Sequence, residues 1–161
     1  MDWSTFYEKC DARDMIMLAI ESRDVTWDLV SGAYGADVGF IDQALGLVFE
    51  QCAIDPDQIA LAGFSDGASY ALSIGPTNGD LFRRIVAFSP GFAAPAVERF
   101  GTPLIWISHG RSDAILPAQR TEEVIVPGLL DLGYLVTYVP FDGGHEVPAE
   151  VSNEALDWVI A

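Results

Sequence analysis

The chain contains one lysine, Lys9, and only 8 basic side chains against 24 acidic ones in 161 residues, a formal net charge of −16. A surface this negative repels phosphate backbones and anionic lipid headgroups, which argues against nucleic acid and membrane surfaces as partners. Long apolar runs are also lacking. Stretches such as residues 15–20 fall far short of the roughly 20 residues that a membrane-spanning helix needs. Met1-Asp2-Trp3 is neither basic nor apolar enough for an export leader, so the expectation is a soluble, cytoplasmic protein. Cysteine is scarce: Cys10 and Cys52 have neither metal-binding spacing nor the pattern of a disulfide framework. They read as buried thiols in a reducing compartment. Only two histidines, His109 and His145, are available for acid–base chemistry.

Half of the residues are hydrophobic, enough to bury one core, and neither repeats nor a linker-like shift divides the chain. Residues 1–161 are therefore expected to form a single domain. Short apolar or β-branched runs at 15–21, 58–63, 85–88, 104–109 and 135–141 predict strands, each closed by Gly, Pro, Ser or Asp. Their near-continuous hydrophobicity suits parallel strands covered on both faces. Helical spacing joins Trp3, Phe6, Tyr7 and Cys10, and again Val38, Ile41, Leu45, Val48 and Cys52 behind a possible Asp37 N-cap. Both stripes should pack on the sheet. Further helices are expected at 66–74, 94–100, 118–132 and 149–160, with Pro127 and Gly128 bending or splitting the third. The alternation predicts an α/β fold: a mostly parallel sheet of about five strands with helices on both faces. Such open sheets carry their sites at the carboxyl ends of the strands.

One strand runs directly into Gly63-Phe64-Ser65-Asp66-Gly67, a G-x-S-x-G pattern, followed by a helix of small residues. A serine on so tight a strand-to-helix turn is thrust into the open by a strained backbone, and flanking glycines remove Cβ atoms that would clash. The helix aims its N-terminal dipole at a developing oxyanion, with the Asp66 backbone N–H as the natural first donor. Ser65 needs a base. His145, in the glycine-flexed run Asp142-Gly143-Gly144-His145, is favoured over His109, which closes a strand and reads as a structural histidine. The base in turn needs a carboxylate. Asp113 supplies one from the loop after the preceding strand, with Asp142 in reserve because three residues before His145 it would have to fold back sharply.

The order Ser65, Asp113, His145, with the runs AGFSDGASYA (62–71), HGRSDAILP (109–117) and DGGH (142–145), resembles the phospholipase/carboxylesterase branch of the α/β-hydrolases, relatives of acyl-protein thioesterases. The resemblance covers nearly the whole chain. It implies hydrolysis of carboxylic or thioesters without cofactor, with Ser65, Asp113 and His145 as nucleophile, acid and base. It also sets Trp27 beside the site. Phe64, Phe92 and Leu116, with Trp106, are candidates for lining an acyl pocket, and the absence of a lid-sized insertion favours small, short-acyl esters. A metal site built on His109, Asp113, His145 and Glu146 is set aside, as is a phosphate cradle at Ser65-Asp66-Gly67, for which no glycine-rich fingerprint or nearby lysine exists.

The sequence departs from that family at its start. The strands ahead of the first helix have no counterpart, and in the family one of them lies between those matching 15–21 and 58–63 and ends in a His-Gly loop that completes the oxyanion hole. The two flanking strands must then pair directly, or a second copy must cover the edge. A homodimer is expected. The second oxyanion donor must come from elsewhere, residues 22–26 being nearest. The shortened start also supports a rival reading, a non-catalytic homologue acting as a binding or assembly module.

Overall fold

A computed structural model describes residues 4–161, with side chains from residue 6 onward, so the expected place of Trp3 in the first helix lies outside the described residues. Four strands, β1 (Ala60–Phe64), β2 (Arg84–Phe88), β3 (Leu104–Gly110) and β4 (Val136–Phe141), form one parallel sheet in the order β1-β2-β3-β4.

Strand alternation explains why both faces are apolar. Ile85, Ala87, Ile105 and Ile107 point to one side, where they meet Ala68, Ala71 and Leu72 of α3 (Asp66–Thr77) and Leu129 of α5 (Val126–Asp131). Val86, Phe88 and Trp106 point to the other, against Phe6 and Cys10 of α1 (Ser4–Asp11) and Val151, Ala155 and Val159 of α6 (Ala149–Ile160). Trp106 is thus a core side chain, 1% exposed and edge-on to Phe88 at 5.7 Å between ring centroids. The predicted α/β architecture holds, and α6 has the expected bounds. None of the helices among the described residues is long and apolar enough to cross a membrane.

Four corrections follow. Residues 15–21 form no strand: Met15, Met17 and Ile20 are half-buried while Ile16 and Leu18 are exposed, an extended course with alternating sides but no ladder partner. It does not pair with β1, so β1 remains an edge and the sheet has four strands. A strand is defined by its neighbour, which periodicity alone does not supply.

Second, residues 94–100 form no helix. The amides of Ala94 and Ala96 go instead to a ladder of hydroxyls on α3. Ser69, Ser73 and Thr77, four residues apart on one stripe, each donate to the carbonyl one turn back, at 3.3, 2.7 and 2.8 Å. The same oxygens accept from the crossover: Ser69 from Gly91 and Phe92 (2.9 and 3.3 Å), Ser73 from Ala94 (3.0 Å), Thr77 from Ala96 (3.1 Å).

Third, Asp37 does not cap α2 (Ala36–Gln51), whose N-cap position is Gly35. Asp37 is 2% exposed and accepts the N–H groups of Arg23 and Asp28 (both 2.7 Å), while Asp28 Oδ2 accepts those of Gly35 and Asp37 (2.7 and 3.0 Å). The donors freed at the start of α2 are satisfied by a carboxylate seven and nine residues upstream. Fourth, the α2 stripe meets the sheet only in part: Ile41 and Leu45 cluster with Tyr70 and Ile74 of α3 and with Leu61 of β1, while Val38 is 43% exposed. The 118–132 stretch is split as expected: α4 (Ala118–Arg120) passes through a π-helical turn (Thr121–Ile125) into α5, whose second residue is Pro127.

Candidate active site

Ser65 sits between β1 and α3 with φ +58° and ψ −120°, a conformation rare for a residue bearing a Cβ. It is held there by its N–H, which donates to Phe88 O (2.9 Å), and by its carbonyl, which accepts Ser69 N–H (3.0 Å). The turn is tight enough to dictate its first glycine: a Cβ on Gly63 would lie 2.2 Å from Gly67 O. At Gly67 the nearest neighbour of such an atom is Trp27 Nε1 at 3.4 Å, so the second glycine is far less constrained.

Three side chains from three loops meet here. Ser65 Oγ is 2.9 Å from His145 Nε2, and His145 Nδ1 is 2.6 Å from Asp113 Oδ2. A carboxylate only accepts, so Nδ1 carries the proton and the Nε2 lone pair faces the Ser65 hydroxyl. The Asp113 side chain is fully enclosed and that of His145 is 12% exposed. Burial pushes the Asp113 pKa up, but the His145 hydrogen bond and the amides of Leu116 and Ile115 (2.9 and 2.8 Å to Oδ1) outweigh it and hold the carboxyl below its ordinary value.

The two loops that carry Asp113 and His145 are zipped together. Arg111 N–H donates to Phe141 O and Ser112 N–H to Gly143 O, both at 2.9 Å. A Cβ on Gly110 would lie 2.2 Å from Gly144 O, so the bare α-carbon is what lets the His145 loop cross the end of β3. The HG dipeptide was visible in the sequence, but this use of its glycine was not. The reserve acid Asp142 stands at the surface, 98% exposed and 3.6 Å from Arg111. His109 is buried, bonded to Thr121 and to the Leu116 carbonyl.

The remaining sequence candidates surround the elbow unevenly. Asp66 is the first residue of α3, where a backbone N–H has no carbonyl a turn behind it, and its carboxylate accepts the Thr26 hydroxyl (2.8 Å). Thr26 is thus the member of the 22–26 segment that touches the elbow. Trp27 stacks on Tyr70 (4.6 Å between centroids, 19° between planes) with its indole N–H toward Gly67. Phe64 lies against the His145 ring at 4.8 Å and also joins the core beneath it, supporting the imidazole. Leu116 packs over Gly91, and the neighbouring Phe92 borders a hollow of about 150 Å³ with Arg120, Val124 and Leu132.

A parallel sheet with helices on both faces and a serine elbow at a strand's carboxyl end define an α/β-hydrolase fold. Residues 38–154 match the Phospholipase/Carboxylesterase family model, and the chain belongs to that family. Among solved structures it is similar to esterase PE8, at 27% identity and TM-score 0.63 over 78% of this chain and 61% of that one. It is also similar to the Bacillus cereus carboxylesterase (21%, TM-score 0.57, 80% and 64% covered) and to Arabidopsis thaliana SOBER1 (17%, TM-score 0.56, 76% and 59% covered). The chain thus spans less than two thirds of the length of these structures. A comparison with curated proteins finds no match.

Proposed function

We propose that this protein is a serine carboxylesterase acting on small, short-acyl carboxylic esters or thioesters. The observation that carries the proposal is the continuous hydrogen-bonded line from Ser65 Oγ through His145 to Asp113, begun by a serine strained into φ +58°. Ser65 Oγ attacks the ester carbonyl carbon as its proton passes to His145 Nε2, and the carbonyl oxygen becomes an oxyanion facing the Asp66 N–H. The intermediate collapses, the bond to the leaving group breaks, and Nε2 returns the proton to the departing alcohol or thiol. Water, deprotonated by the same nitrogen, attacks the acyl-serine and releases the acid. Asp113 fixes the imidazole tautomer and stabilises the imidazolium formed in both halves.

Trp27, Phe64, Phe92 and Leu116 are proposed to border the bound ester, with Thr26 and its neighbours flanking the oxyanion. No cofactor enters the scheme. The proposal further has a second copy of the chain covering the free edge of β1, supported by that strand's single neighbour and by exposed Ala62. It also assigns the protein to the cytoplasm, supported by its two unpaired cysteines.

The test compares hydrolysis of a short-chain p-nitrophenyl ester by the wild type and by Ser65→Ala. The variant is expected to fall by at least about 10³-fold, and a fluorophosphonate probe to label Ser65. Equal rates, or an adduct at another residue, would sink the proposal and leave the rival binding-module reading. Light scattering checks the dimer.

A further inference from the structure

The reaction just proposed does not use the second histidine, yet His109, at 0% exposure at the end of β3, is as fully enclosed as the Asp113 side chain beside it. Its Nε2 is 2.7 Å from Leu116 O and its Nδ1 is 2.8 Å from Thr121 Oγ1. A carbonyl can only accept, so Nε2 carries a proton; with the ring neutral, Nδ1 is then bare and accepts the Thr121 hydroxyl. One tautomer and one ring orientation satisfy both neighbours. The same Nε2 stands 3.2 Å from Asp113 Oδ2, the oxygen that receives His145 Nδ1–H.

These contacts close a small loop on itself. Leu116 is held at both of its polar groups: its N–H by Asp113 Oδ1, and its carbonyl by His109. Asp113 is aimed by Leu116 and Ile115, Leu116 is pinned by His109, and His109 is fixed by Thr121, itself 0% exposed at the first position of the π-helical turn. π-helical turns recur at functional sites. This one sets a hydroxyl against the imidazole.

We propose that His109 is a positioning residue for the triad: it fixes the 111–117 loop and places its Nε2–H edge beside Asp113 Oδ2, so that this oxygen stays aimed at His145. The inference rests on the esterase reading. A histidine that merely filled the core would affect stability alone, whereas a positioning residue also affects turnover and the Asp113–His145 hydrogen bond.

The experiment compares wild type with His109→Leu, His109→Gln and Thr121→Val. It measures kcat and KM on a short p-nitrophenyl ester, the fluorophosphonate labelling rate, the melting temperature and the downfield NMR resonance of the His145 Nδ1 proton. His109→Leu is expected to lower kcat about tenfold with KM unchanged and to move the resonance. His109→Gln offers an amide N–H to Leu116 O and should recover kcat to within about threefold of wild type. Thr121→Val keeps the volume and removes the donor to Nδ1, and should lower kcat and move the resonance even if His109→Leu does not fold. Folded variants with wild-type kcat and resonance but a lower melting temperature would overturn the inference. If the wild type neither hydrolyses the ester nor reacts with the probe, the esterase reading fails, and the resonance alone then judges the positioning role.

Discussion

The carboxyl ends of the strands and the segment between α1 and α2 treat their polar groups in contrasting ways. Around Ser65, Asp113 and His145, backbone donors meet backbone acceptors across loops of different strands, as in Arg111 with Phe141 and Ser112 with Gly143. Between residues 15 and 35 the chain has no ladder. Two carboxylates, Asp28 and Asp37, gather four amides instead. That arrangement leaves Asp28 Oδ1 and the Tyr70 hydroxyl buried beside each other outside ordinary hydrogen-bond geometry. Burial pushes the Tyr70 phenol pKa up, and the Asp28 carboxylate beside it pushes it further. Sheet pairing satisfies main-chain groups one for one, and buried side-chain polar groups are left over in both regions, Ser89 and Ser108 at the strand ends as well as Asp28 and Tyr70.

The contrast can be broken most forcefully at the site. Asp113→Asn should lower kcat by about 10⁴-fold, since an amide at this position no longer enforces the reactive imidazole tautomer; steady-state kinetics on the short ester measures it. The same variant has a pH signature. Because the folded state lowers the Asp113 pKa, the ionised carboxylate favours folding above its unfolded pKa of about 3.9, and that contribution is lost as the pH falls through the lower folded value. The melting-temperature gap between wild type and variant should therefore be constant near neutrality and shrink below about pH 4.

Next in size, Gly63→Ala drives a Cβ into the Gly67 carbonyl and should cost about 3 kcal/mol in urea unfolding, with loss of activity. Ser73→Ala removes the partner of the Ala94 amide and should cost about 1–2 kcal/mol by the same measurement. The smallest effect belongs to the other region: Tyr70→Phe deletes a buried hydroxyl that faces the Asp28 carboxylate outside ordinary hydrogen-bond geometry and should cost less than about 1 kcal/mol. A large loss there would mean that the Tyr70 hydroxyl and Asp28 complete their hydrogen bond in solution.

What was legible in the sequence follows the same division. The elbow, the glycine-rich run before His145 and the loop bearing Asp113 are encoded within a few residues each, and the strand rule gave them a common end of the sheet. Features whose partners lie far along the chain were not legible. Residues 15–21 look like a strand because the side chains alternate, but no neighbour forms a ladder with them. Residues 94–100 look helical, but hydroxyls 19 to 21 positions earlier claim the amides of Ala96 and Ala94. Asp37 looked like a cap because the true donor of that service, Asp28, is nine residues away.

The α3 hydroxyl ladder ties the length of the β2–β3 crossover to the elbow. Ser69 Oγ joins the amides of Gly91 and Phe92 to the carbonyl of Ser65 itself, so the first half of that crossover is geared to the elbow. Inserting residues between 91 and 96 would throw the hydroxyls out of step with their amides and disturb Ser65 from a distance. The stretch just beyond, where Val97 is 97% exposed, is the place where this connection can grow without Ser65 registering the change.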